Sequence, residues 1–203
     1  MLLGRLGMTY FNSRDIAAIA LCAALWGVLN SIFSPMVFSI THLPLLCDLI
    51  GFTILTVAAW WIRKFGAITS IGLIATIINF ALNPQAITFL GFTAAAFVFD
   101  LTAALTGFNN FFKKAFNTAI IAIIISTLSA AIAGFIIGAF FMTGPALSLW
   151  GGVAGWAGLH AVGGVIGGTI GASLVTSLNS RKIVVNGQMG HKQKSSASGD
   201  SSR

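Results

Sequence analysis

Charge is the property this sequence has least of. Of its 203 residues four are acidic and eleven basic, so charged types make up 7%, against roughly a quarter in an average globular domain. So few charges cannot clothe a water-soluble globule, and a soluble fold is excluded. Cysteine is nearly absent: Cys22 and Cys47 each sit inside an apolar run, which excludes a disulfide framework. Enzyme signatures are also missing. There is no phosphate-binding glycine loop with Lys-Ser/Thr, no HExxH, no serine nucleophile elbow and no acidic cluster for magnesium. The net charge of +7 points at first to nucleic acid. Such a protein keeps a polar surface and a basic face, however, and neither is present. Intrinsic disorder requires low hydrophobicity, which confines it to the Gly/Ser/Lys-rich tail from about Asn186.

What is present is apolar sequence, 57% of the chain, and it reads as an all-α integral membrane protein. A helix needs about 20 mainly apolar residues to cross the hydrocarbon. Six stretches qualify: Ile16 to Phe38, Pro44 to Ile62, Ala67 to Leu82, Ala86 to Gly107, Phe116 to Met142, and Leu149 to Leu178. They are continuous rather than alternating, so helices are expected and not a barrel. Ser34-Pro35 and Leu43-Pro44 bracket the first turn, with further breaks at Asn83-Pro84 and Gly144-Pro145. Arg5, Arg14, Arg63, Lys64, Lys113, Lys114, Arg181, Lys182, Lys192, Lys194 and Arg203 all fall on one side of these spans. Both termini are therefore expected in the cytoplasm. The division is a cytoplasmic segment over 1–15, a six-helix membrane domain over 16–180, and a basic, disordered tail over 181–203. Met1 to Phe11 reads as an interfacial helix, with Met8 an alternative start. No cleavable signal is expected, because the first apolar run is too long.

A rise of about 1.5 Å per residue converts position into depth. Asp48, Asn79, Asn30, Trp156 and His160 then share one layer, the outer half of the membrane, and Trp26, too deep for an interfacial belt, is a further pocket candidate. Intramembrane polar groups of this kind face cavities or partners. The layer suggests an outward-opening pocket in which rings stack on a solute and Asp48 takes an amine or ring nitrogen. The structural alternatives are that Asn30 and Asn79 bond neighbouring helices, that Asp48 caps its own first turn, and that His160 is a packed, singly bonded imidazole. Trp60 and Trp61, at the inner end, read as interfacial belt residues. Asp100 lies in the inner third, where hydroxyls such as Thr102 or a snorkelling base would satisfy it. His42, Cys47, Asp48 and His160 lack tight ligand spacing, so no metal or cofactor is expected. Gly151/Gly155, Gly163/Gly167, Gly164/Gly168, Gly167/Gly171 and Ala130/Gly134/Gly138 are helix-packing patterns.

The first span opens with Ala17, Ala18, Ala20, Ala23 and Ala24 after Arg14-Asp15. Further on come Ile62-Arg-Lys-Phe-Gly-Ala and Ile77-Ile-Asn-Phe-Ala-Leu-Asn-Pro84. With six spans and a polar outer pocket, Arg14 to Leu178 resembles the substrate-binding subunit of energy-coupling factor (ECF) transporters, closest to the hydroxymethylpyrimidine/thiamine type. The resemblance implies a small-molecule substrate, a vitamin or precursor, captured outside the plasma membrane. It also implies docking on a transmembrane coupling subunit driven by two ATPase subunits, through a face containing Ala20 and Ala24. Ser39 to Leu43 would gate the pocket. Cobalt and nickel members of the family carry a histidine directly after the initiator Met, where this chain has Leu2, so an organic solute is implied. The competing readings are an accessory membrane subunit whose polar groups only hold helices together, and a small stand-alone channel or exporter.

Overall fold

The computed structural model describes residues 10–84 and 86–181, and every regular element among them is helical. In order these are α1 (Ser13–Thr41), α2 (Leu45–Ile62), α3 (Ala67–Leu82), a 3-10 turn (Ile87–Phe89) feeding α4 (Leu90–Thr106), α5 (Phe108–Phe111), α6 (Ala115–Phe140), α7 (Gly144–Ser148) and α8 (Gly152–Ser180). The helices α1, α2, α6 and α8 and the segment Ile87–Thr106 are long and apolar enough to cross a membrane. α3 is equally apolar but has 16 residues. The interfacial helix expected over Met1 to Phe11 falls mainly on residues outside those described; Tyr10 and Phe11 themselves precede α1 and are not helical. The tail beyond Arg181 also lies outside the described residues.

Local chemistry sets the helix ends. Asn12 and Asp15 form a reciprocal capping box, each side chain accepting from the other's backbone N–H at 2.9 Å. α1 then runs through Pro35 to Thr41, so the break expected at Ser34-Pro35 does not occur. Nearby hydroxyls supply local bonds: Ser31 Oγ donates to the Gly27 carbonyl and Ser34 Oγ to Asn30 Oδ1. The helix stops at His42, which is left-handed (φ 57°) and bonds back to the Phe38 carbonyl at 2.7 Å. The segment Ser39 to Leu43, expected as a gating loop, is therefore helical through Thr41.

Glycines in α8 set the packing. Added Cβ atoms at Gly163 and Gly171 would fall 2.6 Å from Asp48 and 2.7 Å from Thr56, while one at Gly164 would fall 2.6 Å from Ala130. One glycine face thus meets α2 and the other meets α6. The pairings run Asp48–Gly163, Thr56–Gly171 and Trp60–Asn179 along α2, so α2 and α8 are parallel. Gly134 lies against His160 and Gly168 against Ala122, so α6 and α8 are antiparallel. α4 runs antiparallel to α3 (Gly72 with Ala96, Thr76 with Thr93) and to α6 (Gly91 with Ile137).

This alternation gathers Arg14, Arg63, Lys64, Lys113, Lys114 and Arg181 at one end of the bundle. There Lys64 Nζ meets Asp15 Oδ2 at 2.6 Å, and Arg63 lies over the Phe112 ring at 5.5 Å. Two expectations fail at this end. Asp100 uses neither Thr102 nor a base: its Oδ2 accepts from Gly66 N, Thr69 N and Thr69 Oγ1 at 2.8–2.9 Å, capping α3 from α4. Thr102 bonds its own helix. Trp60 is buried, its indole N–H donating to Asn179 Oδ1 at 3.0 Å, whereas Trp61 is exposed.

Candidate functional site

The opposite end of the bundle, which carries no Lys or Arg among the described residues, contains a cavity of about 560 Å³. The second half of α1 contributes Asn30, Ser31, Ser34 and Phe38, and the entry to α2 contributes Leu43, Pro44 and Cys47. The end of α3 adds Asn79 and Asn83, the start of α4 Phe89 and Phe92, and the end of α6 Ile137 and Met142. The first turns of α8 supply Trp156 and His160.

Two glycines make room for the central histidine. An added Cβ at Gly134 would fall 2.8 Å from His160 Cβ, and one at Gly163 would collide with Asp48. His160 thereby reaches across to α2, where Nδ1 lies 3.0 Å from Asp48 Oδ1 and 2.9 Å from Oδ2. Both side chains are almost wholly buried. The edge of the imidazole meets Phe92 at 5.7 Å and Trp156 at 5.4 Å between centroids, and Phe38 meets Trp156 at 6.4 Å. The cavity wall is thus aromatic around one histidine.

Four of the residues singled out from the sequence, Asn30, Asn79, Trp156 and His160, line this one cavity; two do not. Trp26 turns into the core, against Phe89 at 5.4 Å and Phe92 at 6.2 Å. Its indole fits where Gly51 has no side chain, a Cβ there falling 2.9 Å from Trp26 Cζ2. Asp48 is fully buried behind His160 and does not reach the wall. It does not cap α2 either: among the described residues its carboxylate bonds no backbone N–H. Of the pair, the residue that lines the cavity is the histidine, and Asp48, expected to pair directly with a solute, stands one residue behind it.

Three donors or acceptors on the cavity residues lack a partner among the described residues: Asn79 Nδ2, Trp156 Nε1 and His160 Nε2. A buried polar group left unpaired costs about 1–3 kcal/mol, so a ligand supplying the missing partners recovers that cost. Cys47, Asp48 and His160 place one ligand atom each within 4.8 Å of one another, without His42. Each of the three also makes a hydrogen bond, while Asp48 Oδ2 and His160 Nε2 have none among the described residues. The Cys47 thiol donates to the Pro44 carbonyl at 2.6 Å, and the carboxylate and imidazole bond each other. Reading the sequence missed Phe38, Phe89, Phe92 and Asn83. Asn83 was visible only as half of a turn. The spacing of Phe89 and Phe92, three apart at the mouth of a span, was the available signal for a shared face.

Ala20 and Ala24 lie on the exposed face of α1 beside Leu21 and Leu25, while Ala18 and Ala23 are buried. No family model, no curated protein and no solved structure matches the chain. Its function is therefore argued from this geometry.

Proposed function

We propose that the chain is the substrate-capture subunit of an ATP-driven importer of the energy-coupling factor type. Its solute is a small organic micronutrient, a vitamin or precursor of the thiamine-pyrimidine kind. α3 serves as the sixth span in this reading, shortened because its end opens into the cavity. Both termini are cytoplasmic and the membrane is the plasma membrane, since bases collect on the cytoplasmic side of such helices. The cavity then faces outward. It is of a size typical for small ligands, about 300–1,000 Å³, walled by aromatic rings and fitted with unpaired polar groups. That observation carries the proposal. An accessory subunit whose polar residues only joined helices would have no need to leave Asn79, Trp156 and His160 with unmet hydrogen bonds around a cavity.

Transport would depend on partners, a transmembrane coupling subunit and two ATPase subunits, because this chain carries no nucleotide-binding motif. Ala20 and Ala24 form the docking strip, where small side chains let a partner's helices approach closely. The test separates docking from capture. Ala20→Trp and Ala24→Trp abolish uptake by cells while the isolated chain still binds solute. Loss of both activities together, or of neither, would remove the coupled-transport reading.

A further inference from the structure

Asp48 presents a puzzle, because a fully buried carboxylate is costly and this one touches nothing the cavity admits. Among the described residues its one side-chain hydrogen-bond partner is His160 Nδ1. A carboxylate only accepts hydrogen bonds, so a neutral imidazole facing it carries its proton on Nδ1 and leaves Nε2 with a bare lone pair. His160 Nε2 is the ring nitrogen without a partner, on a residue that lines the cavity. Gly134 and Gly163, which leave no space for side chains of their own, hold the pair in register.

We propose that Asp48 is a positioning residue that locks His160 as the Nδ1–H tautomer, so that Nε2 accepts a hydrogen bond from an N–H or O–H of the solute. The rest of the wall sets the complementary requirement. Among the described residues, Trp156 Nε1 and Asn79 Nδ2 are donors without acceptors, and no Lys, Arg, Asp or Glu lines the cavity. The solute is then a neutral, planar heterocycle with a donor beside one or more ring acceptors, stacked among Phe92, Phe38 and Trp156. A cation gains no ion pair in this cavity. The inference rests on the capture function for its solute half; the tautomer half stands on the chain alone.

The experiment has two arms on the full chain in lipid nanodiscs. Nitrogen-15 NMR of labelled histidine, with His42→Gln and His191→Gln for assignment, is expected to show His160 protonated on Nδ1 and bare on Nε2 at neutral pH. Asp48→Ala shifts the proton to Nε2. Should that variant fail to fold, the isosteric Asp48→Asn gives a mixture of tautomers in its place. A bare Nδ1, an imidazolium, or a tautomer indifferent to both substitutions would overturn the lock. The second arm is calorimetry with 4-aminopyrimidine and 4-dimethylaminopyrimidine, the same ring without the N–H. The first is expected to bind about tenfold tighter or more, the scale of one hydrogen bond, and His160→Phe erases the difference. Equal affinities, no binding of either compound, or discrimination surviving in His160→Phe would overturn the acceptor role. The NMR result reads out on an unloaded chain, so failure of the capture function and failure of the lock are told apart.

Discussion

Asp100 and Asp48 are both fully buried carboxylates inside apolar helices, and they are used in opposite ways. Asp100, at the base-bearing end, collects three donors from the first turn of α3 through a single oxygen. Asp48, at the cavity end, bonds one imidazole, and that imidazole ends in an unsatisfied nitrogen. One carboxylate closes a helix terminus, where the exposed amides and helix dipole favour negative charge. The other orients a group that still needs a partner. Each acid keeps one carboxylate oxygen without a hydrogen-bond partner among the described residues, so a buried charge is not by itself a sign of function. What distinguishes the two is where their bonds lead, to a helix terminus for Asp100 and to a cavity-lining ring for Asp48.

The contrast breaks most visibly under truncation. Asp100→Ala strips the cap from Gly66 and Thr69 and is expected to destabilise the chain by about 3–5 kcal/mol, read by thermal unfolding in detergent. The folded fraction keeps near-normal solute affinity. Asp48→Ala reverses the weighting: about 1–2 kcal/mol in stability, with solute affinity down about tenfold or more. Equal stability losses would show that both acids are structural. The glycine seam gives a middle-sized effect. Gly164→Ala forces a Cβ against Ala130 and the Ser126 carbonyl, costing about 1–3 kcal/mol, whereas Gly158→Ala meets open space and leaves stability within about 0.5 kcal/mol. The smallest energetic effect belongs to topology. A cysteine introduced as Ser198→Cys, in a chain lacking Cys22 and Cys47, is expected to resist an impermeant thiol reagent in intact cells. Labelling there would place the cavity on the cytoplasmic face.

Along the chain, the sequence was highly legible. The ends of α2 and α3 fall within a residue of the apolar runs, because hydropathy and turn residues mark where a span stops. Around each helix it was much less so. In water an amphipathic stripe reveals the buried face, but in a bilayer the outward face is as apolar as the inward one. Leu21 and Leu25 point out of α1 while Trp26 points in, and nothing in their hydrophobicity separates them. Depth therefore grouped Asp48 and Trp26 with the cavity residues, whereas azimuth sets Asp48 behind His160 and Trp26 in the core. Asp100 was unreadable for another reason. Its partners at Gly66 and Thr69 lie 34 and 31 residues away, and two of the three donors are backbone amides that no side-chain pattern announces.

The most direct test of the account is native mass spectrometry of the chain extracted gently from its own membranes. The account predicts one small molecule held per chain, a neutral heterocycle, that is missing from a Trp156→Ala/His160→Phe variant purified in the same way. A chain that emerges with lipid alone, or that carries the same adduct in the variant, would contradict the claim that this cavity captures a solute.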